Sequence, residues 1–361
     1  FFDKGINCEN FYSAAEWTIP CFESILTTTH PSTHCYFDFK CSENLKKTSK
    51  DYDLLNYFKD QNFSTFGISR SKGHHSGFDF DDNFDRFFYF DETGLGNVED
   101  DYKIAKKSID HLNLNKDGKN FLFIHYMSTH SPYIKPNITE EKNLSNLRFG
   151  DPQKEYEDSI TGYGSSKVEP IMDSNKVKNI ILRQKERIKD LDIQIGQLLS
   201  FIDTKDLKKN TLFILTSDHG PNHLSKNAEP MMNKTRLNIP LLIYNPNTTG
   251  MKKIKDYICQ TDLLKIIKNY FVTEHDSQNL DNNSIQNQDV ISESIFNKIY
   301  QASIRNKNHT YYFSCEFNPL NLTVNLKKQY LNKIDILNTS DKVEENEIEQ
   351  YYKDLILKHL L

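Results

Sequence analysis

Residues 16–27 read Glu-Trp-Thr-Ile-Pro-Cys-Phe-Glu-Ser-Ile-Leu-Thr, and this stretch predicts a loop that turns into a helix. Pro20 suits the first turn of a helix, where its missing N–H group leaves no hydrogen bond unmade. Apolar residues follow at helical spacing, at Phe22, Ile25 and Leu26, and predict a buried face. The hydroxyl of Thr18 lies just ahead of this helix, where free N–H groups and the helix dipole favour a bound phosphate or sulfate. The alternative is that Thr18 only caps the helix, since an isolated Thr-x-Pro is a weak signal.

A second signal lies at the end of a predicted strand. Residues 210–220 read Asn-Thr-Leu-Phe-Ile-Leu-Thr-Ser-Asp-His-Gly, an apolar run followed by Asp218 and His219. An adjacent carboxylate and imidazole offer an oxygen and a nitrogen ligand to a divalent ion. Ligand sites of open α/β sheets lie beyond the carboxyl ends of strands, so this position favours a metal role.

A third apolar run covers residues 120–127 and is typical of a parallel strand buried on both faces. His130 follows the end of this run, where it is well placed to touch a substrate or to protonate a leaving group. His125 lies within the predicted strand, where a histidine is more often part of the core. A long amphipathic helix is predicted from Lys176 to Ile202, and we interpret Gly196 within it as a packing residue.

These segments, in this order, resemble the sulfatase branch of the alkaline phosphatase superfamily. In that family the nucleophile is followed by x-Pro-Ser-Arg, an apolar helix, Leu-Thr-Gly, and then Pro and His. The matching residues of this chain are Thr18, Pro20, Cys21, Leu26, Thr27, Pro31 and His34. The resemblance covers nearly the whole chain and includes the Gln-Thr-Asp-Leu of residues 260–263. It implies an α/β fold: an alkaline-phosphatase-like, mostly parallel central sheet with helices on both faces, plus a small C-terminal antiparallel sheet and helix.

The resemblance also predicts the domain organisation. We expect a sulfatase-like α/β catalytic domain over residues 1–274, a linker or long loop over 275–289, and a small α+β subdomain over 290–361. The strands expected in the subdomain lie near 290–293, 299–305, 309–316 and 322–326. In the family, a core strand ending in one or two metal-binding Asp residues precedes the position of Phe1. We therefore expect the first strand and part of the metal site to be missing from this chain.

Two departures from the family pattern bear on the chemistry. Sulfatases carry Cys or Ser at the position of Thr18, which is oxidised to formylglycine, and an Arg at the position of Phe22. Threonine cannot become formylglycine, because the aldehyde requires a primary carbon. A threonine alkoxide can still attack phosphorus, as in the phosphoethanolamine transferases of the same superfamily.

The resemblance implies a metal-dependent hydrolase or transferase acting on a phosphate ester or, less favoured, on a sulfate ester. Thr18 would attack in line and also contact the metal, while Asp218 and His219 would hold one or two divalent ions (Zn, Mn, Mg or Ca). Small-molecule, lipid-headgroup and glycan esters all fit as substrates. The alternative is a catalytically degenerate member with a binding or structural role, since the Arg and the first Asp ligands are absent from this chain.

Basic residues complete the predicted site. The resemblance assigns Lys72, His74 and Lys226 to the non-bridging oxygens of the substrate, and His130 to the leaving group. For Lys72 and His74 the alternative is a solvated basic loop. Lys226 and His223 lie in a loop that is shorter than in many relatives and lacks their His-Gly pair.

Composition limits the other function classes. The chain has 361 residues and a formal net charge of -5, so its charge does not indicate a nucleic-acid partner. No run of about twenty apolar residues predicts a membrane span, and the first residues do not follow the pattern of a signal peptide. The location is therefore left open. The six cysteines have no Cys-x-x-Cys spacing, and free thiols are favoured over a local disulfide.

Overall fold

The structure, a computed structural model, describes residues 5–35, 52–71, 81–91, 100–130, 174–221, 232–244, 250–272, 289–296, 299–318, 323–336 and 345–360. In chain order the elements are β1 (Gly5–Tyr12), α1 (Thr18–Thr27), α2 (Pro31–His34), α3 (Asp53–Asp60), β2 (Ser64–Ser71), β3 (Arg86–Asp91), α4 (Asp100–Leu114), β4 (Asn120–His125), α5 (Ser174–Thr204), β5 (Phe213–Thr216), α6 (Lys234–Leu237), β6 (Asn238–Tyr244), β7 (Met251–Cys259), α7 (Leu263–Val272), β8 (Val290–Phe296), β9 (Ile299–Arg305), β10 (His309–Asn318), β11 (Thr323–Ile336) and α8 (Glu345–Leu360).

The chain forms two compact units. The first comprises residues 1–54, 163–166 and 212–361, and the second comprises residues 55–162 and 167–211. The predicted linker at 275–289 falls almost wholly outside the described residues, so the predicted domain boundaries stay a prediction.

The first unit contains a mixed sheet with the strand order β5-β6-β1-β7. Strands β1 and β7 run parallel, whereas β6 is antiparallel to both β1 and β5. The core positions of the two central strands are apolar and fully buried, as at Phe11 and Leu241. Because β1, β5 and β7 run in the same direction, the segments that follow them leave the sheet at the same edge.

The second unit contains a sheet with the strand order β3-β2-β4, in which both strand pairs are parallel. The two sheets together thus have three parallel pairs (β1–β7, β2–β3 and β2–β4) and two antiparallel pairs. The predicted fold, a mixed α/β structure with a mostly parallel central sheet, is confirmed.

The predicted C-terminal sheet is also confirmed. Its strand order is β11-β10-β9-β8, all antiparallel, and Tyr352 and Ile356 of α8 pack in the same core cluster. The last strand is longer than expected, because β11 runs from Thr323 to Ile336 and follows β10 through two register shifts.

The long helix and the state of the cysteines were also predicted from the sequence. The long helix is confirmed as α5, but the packing role of Gly196 is wrong, since an added Cβ would meet nothing within 4 Å there among the described atoms. Among the described residues, Cys8, Cys21, Cys35, Cys259 and Cys315 are buried thiols that form no disulfide, as the sequence favoured. Among the described helices, none is long and apolar enough to cross a membrane.

Candidate active site

Helix α1 begins at Thr18 itself, directly after the extended residue Trp17, and no side chain caps it. The Thr18 hydroxyl instead donates a hydrogen bond to Asp218 Oδ2 at 2.7 Å. The alternative that Thr18 only caps the helix is therefore wrong. Pro20 lies in the first turn as predicted, and its missing N–H falls among the groups that have no partner within the helix.

The rest of α1 holds Thr18 in place through burial. Ile25 and Leu26 lie in the core, and so does Phe22, the residue that stands where the family has Arg. Phe22 therefore has a packing role in this chain. The helix ends at Thr28, which has a φ of 59° and so lies in the left-handed region.

The turn that follows β5 presents two side chains toward Thr18. Asp218 Oδ1 accepts a hydrogen bond from the His219 N–H at 2.8 Å, and this leaves Oδ2 for Thr18. His219 Nδ1 lies 2.8 Å from the Gly220 carbonyl. Because a carbonyl only accepts, Nδ1 carries the proton, and a neutral imidazole then has its lone pair on Nε2. His219 Nε2 lies 3.4 Å from the Thr18 hydroxyl.

Gly220 is required by the close approach of another segment. Its N–H donates to the Arg236 carbonyl, and an added Cβ would lie 2.4 Å from the Thr235 carbonyl oxygen. No other residue type fits this contact, since real Cβ atoms do not come so near backbone oxygen. The glycine of Ser-Asp-His-Gly thus lets the Asp-His turn pack against α6.

Gln260 joins the two segments that carry the site. Its Oε1 accepts from the Ala14 N–H at 3.0 Å, and its Nε2 donates to the carbonyls of Ser217 at 3.0 Å and Asp218 at 2.7 Å. Gln260 lies in a segment that matches the family, at a position that the family pattern leaves open, and the sequence predicted no role for it. No local sequence pattern shows that the end of β7, which Gln260 follows directly, lies next to Asp218.

Cys21 lies beside the site but is not a second nucleophile. Burial raises the pKa of the Cys21 thiol well above its usual range, and the nearby Asp218 and Glu16 carboxylates raise it further. The thiol is therefore neutral, and it donates to the Ala15 carbonyl. Only the thiolate is a good nucleophile.

The donor set of Thr18, Asp218 and His219 fits a divalent ion. Asp218 Oδ2 and His219 Nε2 are 3.4 Å apart, and each faces the Thr18 hydroxyl. Ligands about 2.1 Å from one ion stand roughly 3.0–3.4 Å from one another, so the spacing suits two ligands and a hydroxyl. Within the described residues, no group of three or more His, Cys, Asp and Glu side chains completes the site.

The other predicted residues belong to the second unit or lie outside the described residues. His130 lies in the second unit, in the turn after β4, and its N–H donates to the Met127 carbonyl. His125 is within β4, where its Nδ1 lies 2.9 Å from the Ser69 hydroxyl. The three predicted substrate-binding residues, Lys72, His74 and Lys226, and also His223, lie outside the described residues.

A residue of the second unit that the sequence did not reveal is Asp101. This buried carboxylate accepts from the N–H groups of Met127 at 3.3 Å and Ser128 at 3.2 Å, and so fixes the turn that leads to His130. Asp101 lies at the start of α4, where an acidic residue is common for local reasons, so nothing in the sequence marked this role.

The sequence model of the Sulfatase family matches residues 2–269. The chain belongs to the sulfatase family. This match covers the three residues that converge on the site, Thr18, Asp218 and His219, and it stops before the C-terminal antiparallel sheet. No curated protein sequence matches the chain.

Solved structures similar to this chain share its fold at low identity. One, solved with its substrate D-glucosamine-2-N,6-O-disulfate, is 13% identical with a TM-score of 0.67, and the match covers 99% of this chain and 91% of that one. A 2-O GAG sulfatase is 12% identical with a TM-score of 0.67, over 99% and 84% of the two chains. A phosphonate monoester hydrolase from Silicibacter pomeroyi is 12% identical with a TM-score of 0.66, over 99% and 88%.

Proposed function

We propose that this sulfatase-family chain is a metal-dependent enzyme that hydrolyses or transfers a phosphate ester, with Thr18 as the nucleophile. The observation that carries the proposal is the convergence of the Thr18 hydroxyl with Asp218 Oδ2 and His219 Nε2 at 2.7 and 3.4 Å. The Asp-His pair follows a strand end, where ligand sites of α/β sheets are found, and this supports a functional role for Thr18.

The first chemical step forms a bond between Thr18 Oγ1 and phosphorus and breaks the bond between phosphorus and the leaving oxygen. The hydroxyl proton passes to solvent, and the leaving oxygen takes up a proton from solvent, so that Asp218 stays ionised through the step. Water, or an acceptor hydroxyl in a transferase, then attacks the phospho-threonine and restores Thr18.

Asp218 and His219 would hold a divalent ion, with Thr18 as its third contact. Such an ion lowers the pKa of a bound hydroxyl and offsets negative charge on the phosphoryl oxygens. Nδ1 of His219 donates its proton in a hydrogen bond to the Gly220 carbonyl, and this leaves Nε2 unprotonated and able to bind the ion. The protein also keeps one oxygen of Asp218 within its own turn and directs the other toward Thr18.

Phosphorus is favoured over sulfur because Thr18 cannot yield formylglycine. The fold accommodates phosphorus chemistry, as the similarity to a phosphonate monoester hydrolase illustrates. The similarity to proteins that act on sulfated sugars supports a small-molecule or glycan ester as the substrate class. The role of His130 in protonating the leaving oxygen stays a prediction.

The test is an ester screen on the purified chain with Zn²⁺, Mn²⁺, Mg²⁺ or Ca²⁺ added singly. The substrates are p-nitrophenyl phosphate, bis-p-nitrophenyl phosphate and p-nitrophenyl sulfate. We expect turnover of a phosphate ester, a loss of at least roughly 10³-fold in Thr18→Ala, and retained activity in Thr18→Ser. Thr204→Ala is the matched control, since that hydroxyl donates only to the Phe201 carbonyl of its own helix.

Two results would contradict the proposal. An unimpaired rate in Thr18→Ala would exclude Thr18 as the nucleophile. Absence of turnover with every ester and metal would favour the degenerate, non-catalytic alternative.

A further inference from the structure

The amide of Gln260 is fully buried and uses all of its hydrogen-bonding groups. Its oxygen accepts one bond, from Ala14, and its NH₂ group donates two, to Ser217 and Asp218. Its side chain is 0% exposed. A buried amide satisfied at both ends has one orientation only, because a flip would set its NH₂ group against the Ala14 N–H.

We propose that Gln260 is a positioning residue that sets the distance between the Thr18 nucleophile and the Asp218-His219 pair. The inference rests on the proposed function, and it assigns Gln260 no contact with the substrate. Gln260 acts through backbone groups on both sides of the site. These are the N–H of Ala14, four residues before Thr18, and the carbonyl of Asp218 itself.

The position of Gln260 is itself fixed by the sheet. Its neighbour Cys259 ends β7 and pairs with Tyr12, the last residue of β1. The Cys259 N–H donates to the Asp262 carboxylate, which closes a tight turn directly after the strand. Gln260 therefore projects from a rigid element, as a residue that holds an active-site geometry must.

The choice of an amide has an electrostatic reason. Nε2 bonds to two carbonyl oxygens next to the Asp218 carboxylate, so this end of the side chain must donate. A carboxylate there would lose both donated bonds and add a negative charge beside a metal-binding oxygen. A shorter amide would not span from Ala14 to Ser217 and Asp218. Glutamine has both the required length and an amide with an acceptor oxygen and a donor NH₂ group.

The test compares two Gln260 variants with one control. Gln260→Met keeps the length and removes all three hydrogen bonds, whereas Gln260→Glu keeps the acceptor and removes the amide donors. Asn306→Leu is the control, because the Asn306 amide also donates two bonds, to Asp289 and Tyr352, but at the β9–β10 turn. Melting temperatures show how much each change destabilises the fold.

Two readouts separate positioning from mere stability. Mn²⁺ or Zn²⁺ is titrated against the emission of Trp17, the only tryptophan, which precedes Thr18. We expect both Gln260 variants to weaken metal binding by about 10- to 100-fold, as loss of a group that orients a ligand does. We also expect kcat to fall by about the same factor with little change in KM. Asn306→Leu should lower the melting temperature without either effect.

Hydrogen exchange decides the inference independently of catalysis. In Gln260→Met, amides in residues 14–18 and 217–220 should exchange faster than in wild type, and in Gln260→Glu those in 217–220 should do so, while Asn306→Leu leaves both segments unchanged. If wild type neither binds metal nor turns over an ester, the proposed function fails, yet faster exchange in these two segments still supports the positioning role. Wild-type exchange in both segments of Gln260→Met, or an equal change in Asn306→Leu, would overturn it.

Discussion

Two turns of this molecule follow partly buried strands and present predicted catalytic side chains, yet they are held in opposite ways. The Ser217–Gly220 turn after β5 is held through its carbonyls by the neutral amide of Gln260. The Met127–His130 turn after β4 is held through its N–H groups by the carboxylate of Asp101.

The difference follows from what each turn carries. The first presents a carboxylate and a metal-binding imidazole, so a neutral anchor avoids a second negative charge beside Asp218. The second turn has no carboxylate of its own, so an anionic anchor places no second negative charge there. Burial raises the pKa of Asp101, and the hydrogen bonds from Ser128 and Met127 lower it. Each anchor thus has the charge that its turn tolerates.

The largest effect is expected where the first turn meets α6. Gly220→Ala would place a Cβ 2.4 Å from the Thr235 carbonyl oxygen, so the turn must move. We expect a loss of about 3 kcal/mol in the free energy of unfolding, measured with urea, and loss of esterase activity. Gly196→Ala is the control: nothing lies within 4 Å of its added Cβ, and as a helix residue it should gain about 0.5–1 kcal/mol. Equal behaviour of the two variants would remove the steric argument.

The second turn is tested by Asp101→Asn. Its two carboxylate oxygens each accept from a backbone N–H, so an amide must turn its NH₂ group toward one of them. We expect a loss of about 1–3 kcal/mol on urea unfolding, because one buried N–H is left unsatisfied. Asp110→Asn, on the exposed side of the same helix, should change stability by less than about 0.5 kcal/mol. A neutral result for Asp101→Asn would mean that the carboxylate does not fix the turn.

Two buried groups, His34 and Asp101, make opposite contributions to the pH dependence of stability. His34, which follows the Thr18 helix, is buried, and burial lowers its pKa from 6.5 to about 3. The unfolded chain therefore binds a proton that the folded chain does not between these values, so His34 stabilises the fold above pH 6.5 and this contribution is lost as the pH falls toward about 3. Asp101 has the opposite sign: its raised pKa means that its contribution is present at acidic pH and is lost as the pH rises through that pKa.

The measurement is urea unfolding between pH 4 and pH 7 on wild type and His34→Gln. We expect the variant to lose a component of at most roughly 1.4 kcal/mol per pH unit from the slope of stability against pH. Unchanged slopes would show that His34 titrates in the fold as it does in the unfolded chain.

The smallest effect is expected at the end of the Thr18 helix. Thr28 has a φ of 59°, a conformation that costs a β-branched residue roughly 1 kcal/mol and a glycine almost nothing. Thr28→Gly should therefore raise the free energy of unfolding by about that amount, less the bond from its hydroxyl to Asp53. Thr33→Gly, within helix α2, should instead lower it by about 0.5–1 kcal/mol. A loss of stability in Thr28→Gly would show that the hydroxyl contact outweighs the backbone strain.

Sequence reasoning found the parts of the molecule that local chemistry encodes. Apolar periodicity predicted α1 and α5, and continuous apolar runs predicted β4 and β5, because both patterns depend on neighbouring residues only. The meeting of Thr18 with Asp218 was predicted from the resemblance to a family, since 200 residues separate the two and no local pattern joins them. Gln260 and Asp101 were missed for the same reason, because each acts on backbone groups of a distant segment.

The length of β11 was missed for a different reason. The polar residues Lys327, Lys328 and Gln329 interrupt the alternation that predicts a strand, whereas register shifts against β10 keep the pairing intact through Ile336. Such a strand is recognised only from its pairing with a neighbour, because register shifts keep the hydrogen bonds where the sequence pattern breaks.

Plasma emission spectroscopy on the purified chain, wild type against Asp218→Ala/His219→Ala, shows whether these two residues bind metal. We expect stoichiometric Zn, Mn, Mg or Ca in wild type and its loss in the double variant, with the fold retained by circular dichroism. Metal that persists in the double variant, or wild-type protein that binds none of these ions when they are supplied, would contradict the claim that Asp218 and His219 form a metal site beside Thr18.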